Sequence, residues 1–557
     1  MPALAPAVVR DVAMSDRGIH GDCVPSRAGH GYRFGRLCGL VVVLALGVSW
    51  AGPDTSLAGF NSAALSVIGG ELKTATLAAP TGLTLANGGC AGGSGQTNVL
   101  ATWNAFAALD ANGSALVNGY TVLRSTSSGG SYPSVGTTNG STSFTDVNPS
   151  GAETPQVYVG NSGEAVKTVH AINTSTNAGK SITTGIIGTE PNGIAVTPEG
   201  TNVVVAEGAS HQVQIITVSS QSVTTTVPIP EVGGVKSRPD AVAIAPSGLT
   251  AYVVDGANKR VYPITISSGA LGTGIAVGTQ GDPGAIVMTP NGEKVYVANY
   301  GAHNVSVIAT SSNTVTATVT VGSGETGKPI ALAVTPNSAH VYVADQGNSQ
   351  IDDIATASNT VSKAIPVGSM VDANVAGGGD PNILAITPDG SKLYVASYTG
   401  RGVEDIAIPA DTLTRTIALK QPTTVNPNAL ALTPNGCQLY VNDYSNNQVD
   451  VITASTDAVS AAVVVGETGD PTGISVTPDS AHVYVANFYS NSVSVIATAT
   501  NTVSSTWAEA TVGKAPYAVL ATASPYLYKL QAGHGGWCSP LTVPALYPLG
   551  WNQGGWQ

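Results

Sequence analysis

The sequence predicts an all-β protein, dominated by a β-propeller of eight four-stranded blades with a small β-sandwich beside it. Three observations carry this expectation. Eight self-similar units follow one another, apolar residues alternate with period two inside them, and Gly, Pro, Asn and Asp punctuate the runs. Hydrophobic residues make up 43% of the 557 positions and charged residues only 10%, which is ample for a core and rules out a disordered chain. The net charge of −12 argues against a nucleic-acid surface, which needs clustered Lys and Arg.

Taken in order, residues 1–52 read as a signal or targeting segment. Arg27, Arg33 and Arg36 precede an apolar run from Leu37 to Trp50, and Pro53 breaks it. That run is short for a membrane span, which needs about 20 residues, and suits a signal-peptide core. Met14 is an alternative start, and cleavage near Ala51 would release an exported protein to the cell exterior or surface. Without cleavage, this segment would be the chain's one membrane attachment. Residues 53–79 read as a linker.

Residues 80–153 read as the first part of a small sandwich. Pro80 to Leu83 opens a strand, Val99 to Trp103 supplies a core Trp, and Gly119 to Arg124 and Ser141 to Asp146 follow. The strands that would complete it come after the repeats, in residues 523–545, at Tyr526 to Ala532 and Trp537 to Val543. Residues 546–557 form a tail. The first and last segments resemble a fibronectin type III domain split by an insertion, an arrangement tolerated when the guest's termini lie close together. On that reading Cys90 and Cys538 become neighbours and are expected to form a disulfide in an oxidising compartment. Cys437, in a turn of one repeat, is expected to be an unpaired thiol.

The repeats occupy residues 154–522. The strings VYVGN, VVVAE, AYVVD, VYVAN, VYVAD, LYVAS, LYVND and VYVAN begin at 157, 203, 251, 295, 341, 393, 439 and 483, 44 to 52 residues apart. A second apolar alternation such as Val305 to Ile308 follows each string, then a Thr/Val run such as Thr314 to Val321. A Gly-rich connection and a Pro-led strand ending in Thr-Pro-(Asn/Asp/Glu)-Gly complete the unit. Four short antiparallel strands per unit make a blade. The strings resemble those of YVTN-repeat propellers, a likeness that implies fold and leaves function open. The array opens on a second strand at Val157 and closes on a first strand at Pro516 to Leu520, so both ends should share one composite blade. Eight blades follow from this count, or seven if the unit at Val157 folds otherwise.

Signals for chemistry are sparse. Gly322 to Gly327 fits a dinucleotide-loop pattern, yet Pro329 and a strand follow where a helix is needed, so an inter-blade turn is expected. His340 and His482 precede their strands at a solvated position. Asp353 and Asp405 stand where other units carry Val, which demands a hydrogen-bonded or cationic partner unless the position lies near solvent. No cofactor is expected. Asp282, Asp380 and Asp470, in Gly-Asp-Pro turns, suit calcium by ligand type, although turn chemistry explains them more simply.

The best candidate surface is the end of each central strand, where one polar residue per unit is often followed by an aromatic. Asn299, Tyr300, Asp345, Tyr398, Asp443, Tyr444, Asn487, Phe488 and Tyr489 are the candidate ligand-binding residues. Aromatic faces beside amides and carboxylates suit a sugar or an extended peptide. The same residues equally suit strand-end capping. The expected role is a surface binding or scaffold module for a cell-wall glycan or an envelope or extracellular protein. The alternative is a hydrolase, since some similar propellers resemble sugar lactonases. Whether the chain is an enzyme is left open, leaning against.

Overall fold

A computed structural model describes residues 156–522 apart from 162–167, 175, 185–190, 199, 279–281, 324–325, 369–382, 398–399, 421–424, 467–470 and 479. Outside that span it describes backbone strands only. The leader and the expected Cys90–Cys538 bridge lie outside the described residues, whereas the segment expected to be a linker carries an antiparallel hairpin, Ser62–Ile68 paired with Glu71–Leu77.

Eight antiparallel sheets form the ring. Blade 1 is composite: Pro516–Thr522 is its inner strand, followed by Gln156–Asn161, Thr168–Asn173 and Ala178–Thr183. Blade 2 runs from Pro191–Val196 to Ser222–Pro228, blade 3 from Pro239–Ile244 to Ile275–Ala276, and blade 4 from Pro283–Met288 to Thr314–Thr320. Blade 5 spans Pro329–Val334 to Thr360–Pro366, and blade 6 spans Leu384–Ile386 to Thr412–Ala418. Blade 7 spans Pro427–Leu432 to Ala458–Val464, and blade 8 spans Pro471–Val476 to Thr502–Trp507. The unit at Val157 is therefore a true blade, and the count is eight. Pro516–Thr522 packs against the inner strands of blades 8 and 2, so the two ends of the array close the ring and leave no open inner edge.

The core lies between blades. One apolar layer joins Ala285, Tyr296, Val305 and Val319 of blade 4 to Leu332, Val341 and Ile354 of blade 5. Second strands are buried along nearly their whole length because both their faces meet a neighbouring blade, whereas fourth strands alternate outward. Each buried Tyr or Val side chain contributes about 1.5–3 kcal/mol.

A second device locks adjacent blades. The Tyr in the second strand donates its hydroxyl to an Asn or Asp in the last turn of the next blade. Tyr252 reaches Asn313, Tyr296 Asn359, Tyr342 Asp411, Tyr394 Asp457 and Tyr440 Asn501, at 2.6–3.0 Å. Every one of these acceptors has φ of 49–53°, a left-handed conformation that Asn and Asp tolerate best among residues with a side chain. Between blades 8 and 1 the indole of Trp507 donates to Asn177, also left-handed, at 3.0 Å. Blades 1 and 2 are exceptions, blade 2 because Val204 replaces the Tyr. For blade 1 the matching turn residue in blade 2 is Gln221, which bonds Gln156 instead, and the buried Tyr158 hydroxyl has no partner.

Beyond the ring, Leu527–His534 pairs with Gly119–Ser125 in register from Leu527–Ser125 to Gly533–Gly119. Thr84–Asn87, Val99–Thr102 and Ser143–Asp146 form a three-stranded sheet. Backbone segments from either side of the repeats thus share one sheet. Cys437 departs from expectation. Its sulfur is disulfide-bonded.

Candidate functional site

Four antiparallel strands per blade put the loops between second and third strands on the same face as the blade-to-blade connections. The hairpin turns occupy the opposite face. The candidate residues all belong to the first of these, the connection face.

The structure divides them. Asn299, Asp345, Asp443 and Asn487 are completely buried, as is every other residue at this position, from Asn161 and Glu207 to Asp255 and Ser397. Asp345 accepts from the backbone N–H groups of Lys328 and Gly347 and from the Asn348 amide, at 2.6–3.0 Å. Asp443 accepts from Asn426 N–H and the Asn446 amide, and Asp255 from Arg238 N–H and Asn258. Asn299 donates to Asn304 and Ser306, and Asn487 to Ser492 and Ser494. These four residues therefore sit beneath the rim as supports for the loops, each covered by the incoming connection. The aromatics lie above them. Tyr300 is 37% and Tyr489 62% exposed, while Tyr444 and Phe488 are half-buried and Tyr398 falls outside the described residues. Phe488 and Tyr489 meet edge to face at 5.0 Å, and Lys328 Nζ lies 5.6 Å from the Tyr300 ring centre.

A second layer of supports is not evident from the sequence. In blades 1, 2, 5 and 6 the third residue of the third strand meets the connection arriving from the previous blade. Asp352 accepts from Gly322 N–H at 3.0 Å, and Glu404 from Gly368 N–H at 2.7 Å. Gln214 donates to Thr184 O, and His170 Nδ1 contacts Thr511 O. Gly322, at φ 74°, has no room for a Cβ beside Asn348 and Asp345, and its N–H is already committed. Gly322 to Gly327 is thus an inter-blade turn. Burial pushes Asp352 and Asp450 up to about 6, with Asp345 and Asp443 as the respective nearby like charges.

Asp353 and Asp405 are buried, contrary to a position near solvent, and each has a basic side chain beside it. His340 Nδ1 contacts Asp353 at 2.9 Å, and Lys392 Nζ lies 3.7 Å from Asp405 and 2.6 Å from Asp457. Ser362 also donates to Asp353, whose carboxyl burial pushes upward. His340 is therefore a structural partner across the strand pair. Asp282 is 70% exposed on the rim, while Asp380 and Asp470 fall outside the described residues. Among the described residues no group of three His, Cys, Asp or Glu is placed to hold a metal, and no helix is long and apolar enough to cross a membrane.

One further cluster surfaces at the channel mouth. Arg238 Nε donates to both oxygens of Asp240 at 2.9–3.0 Å, and Asn192 donates to Asp240 at 2.9 Å. Burial raises Asp240 to about 6 even though Arg238 opposes the shift. Its members come from two blades 48 residues apart, so only the ring brings them together.

No family model and no curated protein matches this chain. Solved structures do. NirN, the dihydro-heme d1 dehydrogenase in complex with DHE, aligns with TM-score 0.52 at 11% identity over 66% of this chain and 74% of its own. Hydrazine synthase of Kuenenia stuttgartiensis aligns at 0.44 and 20% identity, over 56% of this chain and 97% of its own. The β-propeller domain of Myceliophteria thermophila Cps50 (Swd1) aligns at 0.41 and 11%, over 55% and 93%. The likeness is one of fold.

Proposed function

We propose that this protein is an exported or cell-surface recognition module. Its YVTN-type propeller is inserted in a fibronectin type III-like domain, and it binds a glycan or protein ligand through the connection face. One observation carries the reading: aromatic rings at Tyr300 and Tyr489 are exposed on loops whose underlying residues, Asn299 and Asn487, are buried and donate their amides to side chains of the following strand. An exposed ring on a braced loop is a low-entropy contact for a sugar face or a peptide. The pairing of Leu527–His534 with Gly119–Ser125 supports the split-domain part of the proposal. Binding of the full chain to arrays of cell-wall glycans and envelope proteins, beside a variant with Tyr300, Tyr444 and Tyr489 changed to Ala, tests it. Loss of binding by a variant that melts like the parent supports the face, and retained binding places recognition elsewhere.

The Asn192–Arg238–Asp240 cluster favours a second reading, a hydrolase acting at the channel mouth, with Asp240 as proton acceptor. Lactone turnover by the parent and its loss in Asp240→Asn would support that reading.

A further inference from the structure

The chain carries a net charge of −12, yet one sector of the connection face gathers cations. Lys236, Arg238, Lys259, Arg260 and Lys328 all come from the loops and connections of blades 3–5. The exposed acids there among the described residues are Glu231 and Asp282; Asp240 is buried and pairs with Arg238, and Asp255 is buried beneath loop N–H groups. In space the rim of this sector is continuous. Arg238 Nη2 lies 3.9 Å from Asp282, the backbone O of Asp282 accepts from Tyr300 N–H at 3.2 Å, and Tyr300 lies beneath Lys328. Among the described residues Lys328 takes part in no ion pair, and its ammonium lies over an exposed ring.

Resting on the recognition reading above, we infer that this sector binds a carboxylate-bearing polysaccharide, with a uronate ring on Tyr300. Lys328 is the carboxylate partner, Lys236 adds a second exposed cation to the sector, and Asp282 accepts from sugar hydroxyls. An acid standing between two cations suits a sugar chain, which alternates hydroxyls with charge. It does not suit the unbroken phosphates of a nucleic acid, which it would repel. A carboxylate on an exposed ammonium gives a salt-dependent affinity, and the stacking ring gives a part that salt leaves intact.

The test is binding of the full chain to polygalacturonate, to its fully methyl-esterified form and to single-stranded DNA, at low and high salt. The expected result is binding of the acid form about tenfold tighter than the ester, weakening with salt. Lys328→Gln and Lys236→Gln should each weaken it several-fold, with Lys328→Arg retaining it and Lys514→Gln, a cation outside this sector, leaving it unchanged. Both substituted lysines are exposed, so the variants should fold. Equal binding of ester and acid, preference for DNA, or an equal loss in Lys514→Gln overturns the inference. If the ester or an envelope protein binds in a Tyr300-dependent and Lys328-independent way, the inference fails while the recognition reading stands. If no glycan or protein binds at all, both fail.

Discussion

The two faces of the ring are built on different rules. On the turn face one latch recurs, a buried Tyr hydroxyl on a left-handed Asn or Asp of the next blade, in five consecutive joints. On the connection face the chemistry changes around the ring. The third residue of the third strand is His170, Gln214, Tyr262, Ser306, Asp352, Glu404, Asp450 and Ser494 in blades 1 to 8, with carboxylates confined to blades 5–7, and the rim above it changes as well. Repetition marks the face that maintains the architecture, and variation marks the face on which the blades differ. That difference makes separable predictions.

The largest effect should come from breaking the latch at its most charged joint. Asp457 binds Lys392 and the Tyr394 hydroxyl and is almost wholly buried. Asp457→Ala removes the shortest contact of both partners, leaving Lys392 with Asp405 at 3.7 Å and both with Ala454 O, and should cost about 2 kcal/mol in denaturant unfolding. An equally stable variant would show that the latch is ornamental.

Next is a pH effect that includes blades 5 and 7. Asp352 and Asp450 have folded pKa values near 6, above the ordinary 3.8, so the folded state binds their protons more tightly than the unfolded chain. Stability at these sites is fully present below about pH 4 and declines as pH rises to about 6, beyond which the penalty is constant. Asp450→Asn, whose Oδ1 has no partner to lose, should raise stability at pH 8 by about 1–3 kcal/mol and change little at pH 4. A gain that is the same at both pH values would contradict this.

A smaller contrast tests the exception. Tyr440→Phe should cost about 1 kcal/mol because it orphans Asn501, whereas Tyr158→Phe removes a hydroxyl that has no partner and should be neutral or better. Gln221→Asn, which restores the usual turn residue opposite Tyr158, should add about 0.5–1 kcal/mol. Thermal melts of the three variants side by side check the order.

Much of the fold was legible because repeats report phase. A second-strand string at Val157 and a first-strand string at Pro516 can be completed only by pairing with each other, and they do. The latch was legible too, though harder to see: its partners lie 61 to 69 residues apart, one unit plus a hairpin. The signal was the Asn or Asp before each fourth strand, replaced by Gln221 in one unit. The candidate site was read less well. A polar residue at a strand end looks solvent-facing from its own unit, but Asp345 and Asn299 are covered by a connection from the preceding blade, which local pattern does not reveal. Charge pairing held a clue. The residue before the inner-strand Pro is Arg238 or Lys328 where the strand-end residue is Asp255 or Asp345, but Asp282 where it is Asn299. Asp353 and Asp405 were recognised as anomalous, but their partners His340 and Lys392 sit diagonally across a strand pair.

The most direct test of the central claim, that the latched face maintains the ring while the connection face recognises a ligand, is to measure binding and unfolding on the same variants. Tyr300→Ala with Tyr489→Ala should abolish array binding and move the unfolding midpoint by less than about 0.5 kcal/mol. Tyr440→Phe should lower the midpoint and leave binding intact below it. If the rim variant binds as well as the parent, or the latch variant loses binding while still folded, the division of labour between the two faces is wrong.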